Sequence, residues 1–150
     1  MIPSSISKPL LAILRIALGW MFFYAGVVKL MDPAWSAAGY LQGAKTFPAL
    51  FHWFASPSVL PVTNLLNEWG LTLIGLSLML GALVRFSAPL GALMMALYYL
   101  VPLEFPHPNA NAFIVDQHII YIVLLLFFAA SSAGRFWGLD AWHRRAGQAS

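Results

Sequence analysis

Four long apolar stretches follow one another along the chain. They run over about residues 10–31, 65–83, 86–101 and 113–130. An α-helix needs about 20 apolar residues to cross the hydrocarbon core of a bilayer. Most of the prolines, which interrupt helices, fall between these stretches. The pattern predicts an all-α fold, in which residues 1–150 form a single four-span domain, an integral membrane four-helix bundle.

The composition supports a membrane location. Hydrophobic residues make up 61% of the chain and charged residues only 9%, whereas a soluble domain carries about 25% charged residues. The net charge of +3 comes from scattered lysines and arginines, so no nucleic-acid-binding stripe is expected. The chain has no cysteine, and its four histidines are isolated. We therefore expect the lipid bilayer as a partner, and no metal or covalent cofactor.

The distribution of lysine and arginine predicts the orientation. Four spans place both termini on the same side of the membrane, and six cations fall on that side: Lys8, Arg15, Arg85, Arg135, Arg144 and Arg145. The other side holds Lys29 and Lys45. Cytoplasmic segments are enriched in such residues, so we expect both termini to be cytoplasmic.

A long aromatic-rich loop between spans 1 and 2, over Asp32–Val62, would then be extracytoplasmic. Its residues Phe47, Leu50, Phe51 and Phe54 recur at helical spacing, which predicts a short helix at the membrane interface. Two interpretations stay open for the loop: a belt of interfacial aromatic anchors, or a lid over an outward-facing pocket.

Polar residues in the first span share one helical face. Arg15, Gly19, Phe22, Gly26 and Lys29 are spaced by four, three, four and three residues, and we expect this face to point into the bundle. The two charged ends lie about 21 Å apart along the helix. The two glycines permit close approach of a neighbouring helix.

A second group of polar residues gathers at the outer ends of the spans: Lys29, Glu68, Asp116 and His118. Ionisable residues in spans are costly and are candidate functional residues. A Lys29–Glu68 pair could line a ligand-binding pocket or simply fix helix register.

Asp116 and His118 are two residues apart, about 200° around a helix, so we expect them to face different partners. Asp116 could instead stabilise a helix N-terminus, and His118 could relay protons or only pack.

Several segments resemble the DoxX/DoxD family of membrane proteins. The segment RIALGWMFFYAGVVKLMDP, residues 15–33, resembles the first-span signature of that family. Similar motifs follow along the chain: Glu68-Trp69-Gly70 with Gly75, Gly81 and Arg85, then Asp116–Tyr121, and the closing Ala133–Asp140. The resemblance extends from about Leu10 to Trp142.

The loop from Trp35 to Ala44 is similar to the DoxD branch, the large subunit of thiosulfate:quinone oxidoreductase. This resemblance implies a protein of the prokaryotic cytoplasmic membrane that oxidises thiosulfate and passes electrons to membrane quinone as acceptor. It also implies a small second subunit or a larger respiratory complex as partner, and a homo-oligomer is possible. The candidate catalytic residues are Lys29, Glu68, Asp116 and His118, and the candidate substrate-binding residues are Arg15, Arg85, Trp35 and Tyr121.

Two other functions fit the same sequence. A non-catalytic accessory or assembly subunit of a larger membrane redox complex would use the small-residue stripes and aromatic residues for helix packing alone. A small-solute carrier is a third candidate, although four spans without an internal repeat give little scope for alternating access.

Overall fold

The computed structural model describes residues 4–141, with side chains from residue 7 onward. This range contains six α-helices, a short 3₁₀ turn and no β-strand, which confirms the all-α prediction. The helices are α1 (Ser4–Met31), α2 (Ala38–Gln42), α3 (Pro48–Phe54), α4 (Leu60–Leu80), α5 (Val84–Leu100) and α6 (Gln117–Ala130), and the 3₁₀ turn is Ala133–Arg135.

The four longer helices, α1, α4, α5 and α6, correspond to the four apolar stretches of the sequence. Within the described residues, the segment Ser7–Met31 of α1 is long and apolar enough to cross a membrane. Helices α5 and α6 are apolar but shorter. The main core lies between the four helices and is formed by apolar side chains from each of them.

The starts of three helices differ clearly from the sequence-based boundaries. Helix α1 already begins at Ser4 rather than near residue 10. Helix α4 begins at Leu60 rather than near residue 65, because Pro61 is accepted in the first turn, where its missing N–H is not needed. It ends where Gly81 adopts a left-handed conformation with φ +66°. Helix α6 begins at Gln117 rather than at residue 113, because Asp116 caps it.

Helices α1 and α4 pack unusually closely through glycines. A β-carbon at Gly19 would lie 2.8 Å from the backbone nitrogen of Met79, and one at Gly75 would collide with the backbone of Phe23. Gly26 similarly faces Thr72. The predicted inward face of the first span is confirmed, since Arg15, Gly19, Phe22 and Gly26 are buried.

The segment between α1 and α4 folds back over the outer end of the bundle. The predicted short helix is present as α3, and Phe51 on its inner side is only 1% exposed. Phe51 and Leu41 form a second small core with Val101 at the end of α5. Phe47 and Trp53 remain largely exposed. We call this segment, residues 32–59, the outer segment.

Candidate functional site

A cavity of about 330 Å³ lies at the outer end of the bundle, beneath the outer segment. Residues from α1, α4, α5, α6 and the outer segment line it. They are Lys29, Trp35, Ser36, Ala37, Tyr40, Asn67, Tyr98 and His118. This volume lies at the lower end of the range for small-molecule sites, and we call the cavity the outer pocket.

Lys29 occupies the last turn of α1 and supplies the positive charge of the outer pocket. Its Nζ donates a hydrogen bond to the carbonyl oxygen of Ala25 at 3.1 Å and lies 5.4 Å from the centre of the Trp35 ring. A cation over an aromatic face is attracted by the ring quadrupole. The negative charge of Glu68 lies close enough to attract the Lys29 ammonium. Within residues 7–141 the two side chains form no ion pair, so the direct pair that the sequence suggested is absent there.

Asp116 and His118 form a hydrogen-bonded pair at the N-terminus of α6. Asp116 Oδ1 accepts from the backbone N–H groups of His118 at 2.8 Å and Ile119 at 3.4 Å, and Oδ2 lies 2.8 Å from His118 Nδ1. A carboxylate can only accept hydrogen bonds, so His118 Nδ1 carries the proton in this contact. The second ring nitrogen, Nε2, is left to bond to another group. The expectation that the two side chains diverge is wrong, because Asp116 lies outside the helix, in extended backbone.

Two tyrosines connect the outer segment to the bundle. The Tyr40 hydroxyl donates to the Tyr98 carbonyl oxygen at 2.8 Å, and the Tyr98 hydroxyl donates to Asn67 Oδ1 at 2.7 Å. Burial, together with the nearby Asp116 charge, raises the pKa of Tyr40 to about 12. Tyr40 therefore keeps its proton at neutral pH and remains a hydrogen-bond donor.

The outer segment is also attached to α4 through Asn64. Its Oδ1 accepts from the backbone N–H of Ala37 at 3.0 Å, and its Nδ2 lies 3.5 Å from Ser36 Oγ. Trp35, Ser36, Ala37 and Tyr40 thus form the part of the pocket wall that the outer segment supplies, while Phe47 and Trp53 are exposed. The lid and the interfacial anchor both stay predictions for this segment.

The candidate residues of the sequence separate into two groups. Lys29, Trp35 and His118 line the outer pocket, with Asp116 directly behind His118. Glu68 is half-buried beside the pocket residue Asn67, and Tyr121 packs against the main core. The remaining two, Arg15 and Arg85, lie at the opposite end of the bundle.

Five of the eight pocket residues were not among the candidate site residues of the sequence: Ser36, Ala37, Tyr40, Asn67 and Tyr98. Asn67 had a usable signal, because an amide in an apolar helix needs a polar partner. Ser36 had none, since it is an ordinary loop residue. In residues 7–141 no group of three or more His, Cys, Asp or Glu side chains comes together to hold a metal ion.

The opposite end of the bundle is organised by a buried arginine. Arg15 is 0% exposed, and its guanidinium lies against Gly81 and Gly138, with Nη2 3.4 Å from the Trp137 carbonyl oxygen. Asp140 accepts from the backbone N–H of Leu83 at 2.8 Å. These contacts hold the segment after α6 against the turn between α4 and α5, a structural role that the sequence did not indicate for Asp140.

Comparison with known proteins identifies a family. The family model for DoxX matches residues 10–115, which is most of the chain and includes the outer segment, α4 and α5. No curated protein and no solved structure matches the chain.

Proposed function

The chain belongs to the DoxX family of membrane proteins, and from this premise we propose that it is the membrane subunit of a thiosulfate:quinone oxidoreductase. In this proposal thiosulfate binds in the outer pocket and its electrons pass to membrane quinone. The observation that carries the proposal is the outer pocket itself, which is lined by both Lys29 and His118, the latter hydrogen-bonded to Asp116.

The proposal includes a topology. Helices α1, α4, α5 and α6 cross the prokaryotic cytoplasmic membrane, with both termini in the cytoplasm and the outer pocket facing outward. Two observations support it: the four long helices pack around one core, and most lysines and arginines fall on the side of the termini.

The outer pocket suits a small anion. Thiosulfate is a dianion, and its binding in a partly enclosed site requires a cation and hydrogen-bond donors. Lys29 supplies the cation, and the aromatic rings of Trp35, Tyr40 and Tyr98 supply walls that reduce contact with water. Lower water content strengthens the electrostatic attraction between Lys29 and the anion.

In the proposed reaction, the outer pocket is the site of thiosulfate oxidation, and the electrons released there reduce the quinone. Two thiosulfate ions join through a new sulfur–sulfur bond to give tetrathionate and release two electrons. One quinone accepts these two electrons and two protons to become the hydroquinone. We assign proton exchange to His118, which lines the pocket and is held by Asp116, and to Glu68, which is the sequence neighbour of the pocket residue Asn67. A small second subunit or a larger respiratory complex completes the enzyme.

The test is thiosulfate-dependent quinone reduction in membranes that contain this chain, with and without the products of neighbouring genes. We expect one quinone reduced for each tetrathionate formed, at a rate that depends on this chain. No thiosulfate-dependent rate in any combination of subunits would refute the proposal.

A non-catalytic accessory subunit is the second candidate, favoured by a specific observation. Several polar groups of the outer pocket already have partners: Lys29 donates to the Ala25 carbonyl oxygen, Tyr40 to the Tyr98 carbonyl oxygen, and Tyr98 to Asn67 Oδ1. Such a network can simply fix how the helices pack. The substitution Glu68→Gln distinguishes the two functions: a catalytic subunit loses turnover at a normal protein level, whereas an accessory subunit loses co-purification with its partners.

A further inference from the structure

We propose that Asn67 is a specificity-determining residue of the outer pocket, which with Lys29 forms a two-point clamp for a small oxyanion. The inference concerns the same pocket as the proposed function and rests on it. Asn67 lies on α4, and its side chain lines the pocket together with Lys29 of α1. The clamp would therefore join the two most closely packed helices of the bundle.

The orientation of the Asn67 amide leaves its nitrogen free. Its oxygen accepts the Tyr98 hydroxyl at 2.7 Å, whereas Nδ2, which carries two donor hydrogens, makes no hydrogen bond within residues 7–141. The fully buried side-chain nitrogens without a partner in this range all belong to Arg15. Nδ2 is thus accessible to a ligand in the pocket.

Lys29 presents the second set of free donors. An ammonium group has three hydrogens, and one of them bonds to the Ala25 carbonyl oxygen. The eight lining residues include no aspartate or glutamate, and Asp116 is occupied by the N-terminus of α6 and by His118. The lining therefore offers donors and a positive charge, the combination that an oxyanion requires.

The clamp distinguishes an anion from a neutral ring. In the proposed clamp, an oxyanion with two or more oxygens accepts from Lys29 and Asn67 at the same time. A neutral quinone in the same pocket would pack against the rings of Trp35, Tyr40 and Tyr98 and would gain much less from a second donor. Asn67 thus selects small oxyanions, thiosulfate and sulfite among them, as the ligand class of this pocket.

The test replaces Asn67 by an isosteric carboxylate. Asn67→Asp keeps an oxygen for the Tyr98 hydroxyl but exchanges the free donor for a negative charge. Asn111→Asp is the matched control, because Asn111 is exposed in the loop between α5 and α6, outside the pocket. The dissociation constants of thiosulfate, sulfite and sulfate are measured by titration calorimetry on the purified protein with its partners.

We expect Asn67→Asp to weaken anion binding about tenfold or more, as for the loss of a hydrogen bond to a charged group. Asn111→Asp should change it by less than about twofold, since exposed charges are screened. Tyr98→Phe, which removes the hydroxyl that orients the amide, should give a smaller loss than Asn67→Asp. If Asn67→Asp does not accumulate in the membrane, Asn67→Ala replaces it as the test variant. Asn67→Ala should also weaken anion binding, because it removes the amide donor.

The outcomes separate the clamp from the proposed function. Equal anion affinity in Asn67→Asp and Asn111→Asp overturns the clamp, even if thiosulfate turnover persists. Loss of anion binding in Asn67→Asp, in a protein that shows no thiosulfate turnover, supports the clamp and refutes the proposed reaction. A wild-type protein that binds none of the three anions overturns both.

Discussion

Asp116 shows how one residue can perform two tasks at the outer end of the protein. Its carboxylate caps α6 through two backbone N–H groups and holds His118 through Nδ1. The sequence identified both residues and offered capping as one role for Asp116. It did not predict their contact, because the angle between them was calculated for a regular helix, and Asp116 lies one residue before the helix begins.

Replacement of Asp116 by alanine should destabilise the protein by about 1 kcal/mol, the usual cost of losing an N-cap. Asp116→Asn should cost less, because asparagine also caps helices well. Denaturant unfolding in detergent micelles, followed by circular dichroism, provides the measurement. Equal losses in both variants would show that the side-chain cap is not the source of the stability.

Tyr40 should titrate later than an ordinary tyrosine, since the pKa of Tyr40 is raised from 10.0 to about 12. A raised pKa in the folded state contributes stability below pH 10, and this contribution is lost as the pH rises through about 12. The phenolate absorbance of the wild type minus that of Tyr40→Phe isolates this group. The difference spectrum should titrate near the higher value, and a midpoint near 10 would contradict the partial burial of Tyr40, which is 43% exposed, beside the Asp116 charge.

At the scale of elements, the contact between α1 and α4 was the most predictable feature. The spacing of Gly19 and Gly26 on one face indicated a close neighbouring helix, and α4 occupies that position through Gly75. The role of Asp140 could not be predicted, because it bonds to the backbone of Leu83, far away in the sequence. Long-range backbone contacts of this kind leave no periodic signal.

Gly75→Ala should destabilise the bundle by about 1–3 kcal/mol, the usual cost of overpacking. The added methyl group would collide with the backbone of Phe23, which cannot move aside as a flexible side chain can. Gly39→Ala is the control, because a β-carbon at Gly39 would meet nothing within 4 Å. Thermal unfolding of both variants is compared, and equal stability would contradict the close packing of α1 and α4.

At the scale of the whole molecule, the proposed function depends on which side of the membrane the outer pocket faces. Hydrophobic stretches were sufficient to predict the four long helices but not α2, and they carry no information on a cavity formed by five separate segments. The position of the outer segment depends on tertiary contacts, such as the hydrogen bond from the Ala37 backbone N–H to Asn64 Oδ1. The pocket was therefore predictable only as a group of polar residues at one end.

The proposed orientation can be tested with single cysteines, because the chain has none of its own. Asn111→Cys lies at the outer end of the bundle and Leu83→Cys at the inner end, both at exposed positions. A membrane-impermeant thiol reagent applied to intact cells should label Asn111→Cys and leave Leu83→Cys unlabelled. The reverse pattern would invert the topology and place the outer pocket in the cytoplasm.

The central claim is that the outer pocket binds the substrate through Lys29. The most direct test compares thiosulfate-dependent quinone reduction in Lys29→Gln and Lys45→Gln, at equal protein levels in membranes with the partner subunits. Both variants lose one lysine charge, but Lys45 is exposed and does not line the pocket. We expect activity to fall at least about tenfold in Lys29→Gln, as for a lost charge-assisted hydrogen bond, and to be retained in Lys45→Gln. Equal activities in the two variants would contradict substrate binding through Lys29.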